Sequence, residues 1–182
     1  MGKANSLNES QREFIHAQKM FFVATAASDG RVNLSPKGMD LLRVVDDNRI
    51  VWMNLTGSGN ETAAHLADLN RMTLMFCAFE GDAQILRTYG QARTIHPRDA
   101  DWQTACAAFP EVSGRRQIFD MTIDLVQSSC GSGVPFMDFV KSRGEEEMLP
   151  FFDKMGEEGV EKFWRRKNTV SIDDKPTHIF ED

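Results

Sequence analysis

Short apolar segments separated by turn residues dominate the first third of the chain. Asp29-Gly30 is a strong hairpin signal, because both residue types tolerate the positive φ angles of a tight turn. A second turn at residues 46–48 joins the next two apolar segments. Four strands that arrive as two successive hairpins predict an antiparallel sheet rather than a doubly wound one. These strands are predicted at Met20–Ala26, Arg31–Ser35, Leu41–Val45 and Arg49–Met53.

The later strands are longer and indicate how the sheet closes. Gly90 interrupts the longest of them, and a glycine inside a strand often marks a bulge or a close approach of another group. Six or seven antiparallel strands of this length usually close into a small barrel, because closure removes exposed edges. These later strands are predicted at Met72–Phe79, Ala83–Ile95 and Ile118–Val126.

Helical periodicity occurs in four places around these strands. Asn60 is a suitable N-cap residue for a short helix over Glu61–Leu69. Pro97 is predicted to open another helix, since proline is well tolerated in a first helical turn. The remaining helical regions are predicted at Asn8–Lys19 and at residues 136–182.

Length and composition indicate a single domain. The 182 residues suffice for one domain with a sizeable core, and no repeat or linker divides residues 1–182. Hydrophobic residues make up 41% of the chain, but no apolar run approaches the ~20 residues of a transmembrane helix, so we expect no membrane association. The net charge of −6 is spread along the chain and argues against nucleic acid as a partner. Three separated cysteines and no signal peptide predict a reduced, cytoplasmic protein.

The first candidate ligand-binding segment is Val32–Gly38, at the end of the second predicted strand. This segment brings Ser35, Lys37 and a glycine together, and Pro36 removes one backbone donor. The combination suits a ligand edge that is anionic and planar. An ordinary strand end with a surface lysine is the alternative, and the segment alone does not decide between them.

The loop Thr56–Asn60 is the best candidate anion site. It leads into a helix start, which offers unpaired N–H groups and about half a positive charge. Gly57 and Gly59 allow close backbone approach, and the neighbouring hydroxyl and amide side chains add donors. Glu61 in the first turn also stabilises the helix dipole. Many purely structural loops share this composition, which leaves a structural role open.

Two further side chains are candidates for a site. Arg87 shares a strand face with Ile85 and Tyr89, where a cation needs an anionic partner or solvent. Cys130 has no histidine beside it in the sequence, so a structural or pocket-lining role is a better interpretation than a nucleophile. No metal-ligand spacing links the cysteines to the four histidines, and we expect no metal site. The histidines are His16, His65, His96 and His178.

Together these motifs resemble the pyridoxamine 5′-phosphate oxidase-related family over about Phe21–Pro135. The resemblance rests on Asp-Gly followed by Val-Asn-Leu-Ser-Pro-Lys-Gly, on Gly-Asn before a short helix, and on Leu-Arg-x-x-Gly in a long strand. Ser128–Gly131 also resembles stand-alone family members. The resemblance implies a mainly β fold with flanking helices, the flavin-binding split β-barrel. The barrel would span about residues 20–135, followed by a helical C-terminal extension at 136–182.

The resemblance also implies where a flavin would bind. Val32 to Lys37 would line the isoalloxazine ring and the ribityl chain, with Lys37 supplying positive charge. Glu61 and Thr62 stand where the oxidase proper has an Arg-Lys pair, so the phosphate would depend on hydroxyls, helix N–H groups and Arg87. The implied cofactor-binding residues are Val32, Asn33, Leu34, Ser35, Lys37, Leu55, Thr56, Asn60, Glu61, Thr62 and Arg87, and the candidate substrate pocket is Ser129, Cys130 and Gly131.

The function that the resemblance implies is an FMN-dependent oxidoreductase acting on a small molecule. It would work as a homodimer with the flavin at the subunit interface. The Trp- and Arg-bearing dimerisation segment that holds pyridoxal phosphate in true oxidases is not evident after Gly144, so vitamin B6 is not the expected substrate. Three alternatives stay open: a deazaflavin-dependent reductase, a haem-binding or haem-degrading protein, and a non-enzymatic flavin-binding stress protein.

Overall fold

An antiparallel sheet, curled into a half-barrel, forms the body of the protein. The computed structural model describes residues 2–180, and within them the sheet has eight strands. The strands are β1 (Gly2–Ala4), β2 (Met20–Thr25), β3 (Asn33–Gly38), β4 (Leu42–Asp46), β5 (Arg49–Leu55), β6 (Arg71–Cys77), β7 (Gln84–Ile95) and β8 (Arg115–Cys130). Seven of them follow the order β3-β2-β6-β7-β8-β5-β4, and β1 pairs with β8. The sheet path therefore ends at β3 on one side and at β4 on the other.

Helices cover the flanks of this sheet. The first begins with a capping box, in which Asn8 Oδ1 accepts from Gln11 N at 2.9 Å and Gln11 Oε1 accepts from Asn8 N at 3.0 Å. The last is kinked at Gly156, whose φ of 68° is outside the helical region. No helix within residues 2–180 is both long and apolar enough to cross a membrane. The helices are α1 (Glu9–Ala17), α2 (Glu61–Asp68), α3 (Trp102–Cys106) and α4 (Leu149–Lys167), and a π-helical turn (Gly144–Met148) precedes the last of them.

Strand alternation divides the buried apolar side chains into two clusters. On β5, Ile50 and Trp52 point into the larger cluster, whereas Val51 and Met53 point into the smaller one. Successive side chains of a strand face opposite sides of the sheet, so a strand covered on both sides is apolar at every position. β5 is such a strand from Ile50 to Met53, and its far end, Leu55, leads out of the core toward the loop before α2.

The predicted fold class is confirmed. The prediction for Gly90 is also confirmed, because the pairing of β7 with β8 shifts register between Tyr89 and Gly90. A Cβ at Gly90 would lie 1.9 Å from the carbonyl oxygen of Thr122, so the two strands approach each other too closely for any other residue. β1 was not predicted from the sequence, because three exposed residues carry no strand periodicity.

Two local predictions are wrong, and a third is wrong only in its bounds. β2 and β3 do pair as an antiparallel hairpin, and Gly30 has a positive φ of 88°, but the connection is longer than predicted and spans residues 26–32, where Arg31 forms an ion pair with Asp173. Pro97 does not open a helix, since residues 97–101 form turns and the helix starts at Trp102. Asn60 occupies the N-cap position of α2 without capping it, because its side chain donates instead to the carbonyl of Asn168 at 3.3 Å.

Candidate functional site

A cleft of about 1120 Å³ opens between the edge strand β3 and the end of β5. Its size is slightly above the range of about 300–1,000 Å³ that is usual for small-molecule sites. Asn33, Ser35 and Lys37 line the cleft from β3, as the alternation of the strand requires. Val32 and Leu34, which we had assigned to the same site, lie on the other side and are 74% and 64% exposed. Within one chain they belong to the outer surface.

The opposite wall consists of the end of β5, the following loop and the first turn of α2. This wall contains the predicted Leu55, Thr56, Asn60, Glu61 and Thr62. The segment around the π-helical turn adds a third side to the cleft. The residues that this third side contributes are Phe139, Lys141, Ser142, Arg143, Gly144, Glu145, Glu147, Met148 and Phe151.

Arg116 also lines the cleft, and sequence reasoning missed it. It lies at a β-bulge: Asn54 pairs with Gln117 while Leu55 pairs with Arg115, which leaves Arg116 as the additional residue on β8. A bulge re-aims a side chain and is common beside functional sites. The predicted strand began only at Ile118, so Arg116 fell into a loop where no face could be assigned.

The guanidinium of Arg116 is almost fully buried, since the residue is only 3% exposed. Nη1 donates to the carbonyl of Gly59 at 2.9 Å and more weakly to that of Gly57 at 3.4 Å. Among residues 2–180, Nε has no hydrogen-bond partner and no carboxylate forms an ion pair with this side chain. Burial lowers the pKa of Arg116 to about 9. A buried cation held only by carbonyl oxygens is costly to keep, because its charge is not compensated.

Lys37 brings a second cation into the same cleft. Its Nζ lies 5.8 Å from the ring centroid of the buried Trp52. Burial, and then repulsion by Arg116, lower the pKa of Lys37 to about 8. The amine is therefore mostly charged at pH 7 and mostly neutral at pH 9. The alternative of an ordinary surface lysine does not fit this position.

The loop Thr56–Asn60 is fixed by the C-terminal extension. Thr56 Oγ1 donates to the carbonyl of Gly114 at 2.8 Å and accepts from Trp164 Nε1 at 2.7 Å. Asn168 Nδ2 donates to the carbonyl of Gly57 at 2.9 Å. The hydroxyl of Thr56, which we had assigned to cofactor binding, is thus occupied by structural bonds. The carbonyls of Gly57 and Gly59 accept hydrogen bonds from Arg116 and Asn168. Within residues 2–180, the N–H groups of residues 57–62 donate to no carbonyl oxygen.

Glu61 and Thr62 have different surroundings at the start of α2. Both carboxylate oxygens of Glu61 accept from the backbone N–H of Ile172, at 3.1 and 3.2 Å. Thr62 Oγ1 accepts from Asn33 Nδ2 at 3.3 Å, which connects the two walls of the cleft. The same amide donates to Thr25 Oγ1 at 3.2 Å. The two hydroxyls therefore orient the side chain of Asn33, and within residues 2–180 its Oδ1 accepts no hydrogen bond.

The remaining predicted residues lie elsewhere on the chain. Arg87 donates to Ser129 Oγ at 3.1 Å and does not line the cleft of its own chain. Its strand position pairs with Gln127, whereas the cleft lies near the start of β8. Cys130 and Gly131 follow at the same far end, beyond Ser129. We had placed this segment in a loop, but β8 continues to Cys130 because it pairs with β7 up to Gln84.

The Cys130 thiol is exposed rather than buried. Hydrogen bonds with the hydroxyl of Ser132, at 2.8 Å, and with its backbone N–H, at 3.4 Å, lower the pKa of Cys130. Among the histidines of the described chain, only His16 lines the cleft. His65 is buried, with Nδ1 at 3.1 Å from Thr25 Oγ1, and His96 is buried as well.

Comparison with known proteins identifies the family. Residues 7–130, more than half of the chain, match the family described as pyridoxamine 5′-phosphate oxidase. The chain belongs to the pyridoxamine 5′-phosphate oxidase family. This match includes β3, the loop before α2 and Arg116, but it leaves out the C-terminal extension that contains Trp164 and Asn168.

A curated member of the family is similar along most of the chain. It is the pyridoxamine 5′-phosphate oxidase family protein ustO of Aspergillus flavus, which is 33% identical over 153 residues. The matched part covers 81% of this chain and 61% of the relative, so the chain spans less than two thirds of the relative's length.

Solved structures of family-like proteins share the fold. A candidate pyridoxamine 5′-phosphate oxidase of Lactobacillus delbrueckii superimposes with a TM-score of 0.56 at 19% identity, covering 70% of this chain and 99% of that chain. HupZ of Group A Streptococcus gives a TM-score of 0.53 at 16% identity, covering 72% of this chain and 99% of that chain. The half-barrel is therefore the split β-barrel that the resemblance implied.

Proposed function

We propose that the protein is an FMN-binding oxidoreductase that uses the cleft between β3 and α2 for the flavin. The observation that carries this proposal is the pair of cations, Lys37 and Arg116, in a cleft that is also lined by residues 57–62 at a helix start, whose N–H groups donate to no backbone carbonyl within residues 2–180. FMN combines a doubly charged phosphate, a polar chain and a flat ring with a polar edge. Lys37 and Arg116, the two cations that the strands contribute to the cleft, suit a ligand with a phosphate at one end and, at the other, a ring that becomes negatively charged when reduced.

The residues of the cleft fit this ligand. Residues 57–62 and the start of α2 would hold the phosphate, because their N–H groups are unused by carbonyls within residues 2–180. Asn33 and Ser35 would bind the polar groups of the ribityl chain and the ring edge. Lys37 would place its positive charge beside the ring, since it lies further along the same strand face.

Bound FMN would supply the redox chemistry, because a flavin accepts or gives electrons as a hydride or singly. Lys37 would stabilise negative charge that develops on reduction, and this requires its charged form. In the flavin-free chain the pKa of Lys37 is lowered to about 8, so the amine is mostly charged at pH 7, and negative charge on a bound flavin would raise this pKa and keep the charge. No side chain of the chain has to act as a nucleophile.

The absorption spectrum of the purified protein tests the proposal. We expect flavin bands, loss of those bands on anaerobic reduction with a nicotinamide nucleotide, and recovery of the bands when apoprotein is titrated with FMN. Protein that neither retains FMN nor binds added FMN would contradict the proposal. Reduction in the presence of trial small molecules would then define the substrate, which we propose is not vitamin B6.

One observation favours haem as a second candidate ligand. His16 lines the cleft, so a histidine is available as an axial ligand within the same space. The same spectrum separates the two ligands, because haem gives an intense Soret band that a flavin lacks. A Soret band that disappears in a His16→Ala variant would support haem and would contradict the flavin proposal.

We also propose that the protein is a homodimer. Leu34 is exposed on β3, an edge strand of the sheet, and Val32 is exposed just before it. Phe136 and Val140 are 84% and 85% exposed beyond β8. Exposed edge strands and apolar side chains are liabilities that proteins usually cover. A second copy of the chain would cover them and would close the open side of the cleft over a flat ligand.

A further inference from the structure

The anion site at the start of α2 has no positively charged side chain of its own. Residues 57–62 contain no lysine or arginine, and Glu61 adds a negative charge. The partial charge of the helix N-terminus is about half a unit, whereas a phosphate carries close to two negative charges. A second source of positive charge is needed if a phosphate binds here, and only a side chain from another element can provide it.

We propose that Arg116 is the counter-ion for the cofactor phosphate and makes the cleft select a phosphorylated flavin over an unphosphorylated one. This inference rests on the function proposed above. Arg116 comes from β8, outside the loop and the helix, and reaches this place because the bulge opposite Asn54 and Leu55 turns its side chain.

The hydrogen bonds of Arg116 place its charge directly behind the loop. Nη1 donates to the carbonyl of Gly59 at 2.9 Å and more weakly to the carbonyl of Gly57 at 3.4 Å. A loop whose carbonyls face the guanidinium presents its N–H groups elsewhere, and none of these N–H groups donates to a carbonyl within residues 2–180. Arg116 and residues 57–62 nevertheless line the same cleft, so the cation and the N–H groups can contact one anion there.

A purely structural role does not account for the charge. A neutral amide could donate to the same two carbonyls, with weaker hydrogen bonds but without the cost of burying a guanidinium, which is only 3% exposed here. The unsatisfied Nε adds to that cost. An anion beside Arg116 would compensate the charge in a site from which water is largely excluded, where such pairs are strong.

Paired titrations with FMN and riboflavin test the inference, because the two ligands differ only in the phosphate. Arg116→Gln should weaken FMN binding by about 30-fold or more, as expected for removal of a buried charge partner, and should leave riboflavin binding nearly unchanged. Arg116→Lys should recover much of the lost affinity, because it keeps the charge. Arg115→Gln is the matched control, since Arg115 lies next to Arg116 but pairs with Glu111 and does not line the cleft.

The outcomes separate the inference from the proposed function. If wild-type protein binds neither flavin, the proposed function fails and this inference fails with it. If wild-type protein prefers FMN and Arg116→Gln keeps that preference, only the inference is overturned. Equal losses in the Gln and Lys variants would show that Arg116 merely holds the loop. Riboflavin binding reports on folding of each variant, and inorganic phosphate should compete with FMN but not with riboflavin in the unmodified protein, whatever the variants do.

Discussion

Replacing Lys37 with methionine should stabilise the flavin-free protein, although the same residue is proposed to serve the cofactor. Methionine keeps the length of the side chain and removes only the charge. It also makes a favourable sulfur contact with an aromatic ring, and Trp52 lies directly beneath Nζ at 5.8 Å. Burial and repulsion by Arg116 both disfavour the charged amine at this position. Replacing it with an uncharged side chain should therefore stabilise the folded chain.

The pKa of Lys37 gives the size and the sign of this effect. Its value falls from an ordinary 10.5 to about 8 in the folded chain, so the unfolded chain binds more protons between these two values. Stability of the wild type therefore rises with pH across this window, and the full cost is present below pH 8. That cost is at most about 3 kcal/mol, and partial exposure of the side chain reduces it to roughly 1–3 kcal/mol.

Unfolding of the apoprotein by urea or heat, at pH 7 and at high pH, measures the effect. Lys37→Met should raise the melting temperature by roughly 2–10 °C at pH 7, and the difference should shrink steadily above pH 8. Lys162→Met is the control, because Lys162 is exposed and pairs with Glu158, and it should show no such pH-dependent gain. Destabilisation at pH 7, or a gain that does not change with pH, would refute the reasoning.

Four further results are expected. With flavin bound, Lys37→Met should lower the midpoint potential by removing a charge that stabilises the reduced form, and an unchanged potential would exclude that role. Cys130→Ala should retain FMN and lose less than about tenfold in turnover, or ~1.4 kcal/mol of barrier, whereas complete loss with normal flavin content would identify a catalytic thiol. Arg87→Gln should leave the FMN affinity unchanged, and a loss would show that Arg87 enters the site through a partner subunit. Sedimentation should show a dimer that FMN stabilises by ~2.7 kcal/mol at a hundredfold excess over its dissociation constant, and a monomer that binds FMN with undiminished affinity would disprove the shared site.

The features that sequence predicted correctly depend on neighbouring residues. The antiparallel meander follows from turns and strand periods that lie within a few residues of each other. The polar face of β3 follows from simple alternation, which puts Asn33, Ser35 and Lys37 on one side. The same alternation places Val32 and Leu34 on the opposite face. We nevertheless assigned them to the site because the family resemblance implied the whole segment Val32–Lys37.

The features that sequence missed depend on residues far apart in the chain. Arg116 faces the cleft because of a register shift between β5 and β8. The position of such a β-bulge cannot be predicted from the local sequence pattern. Asn60 does not cap its helix because its side chain donates to the carbonyl of Asn168, 108 positions away. Arg87 was assigned to the phosphate because its strand could be predicted. Its distance from the cleft depends on how that strand pairs with β8, which the sequence does not show.

The position of the loop before α2 shows how the family match and the C-terminal extension jointly determine the site. Its Gly57 carbonyl accepts from Arg116 at 3.4 Å and from Asn168 at 2.9 Å, which uses both lone pairs of one oxygen. Arg116 lies within the matched residues 7–130, whereas Asn168 lies beyond them. These two bonds hold the carbonyl oxygen, so the proposed anion binding should depend on both parts. Asn168 lies outside the family match over residues 7–130, and that match alone therefore does not account for how the loop is held.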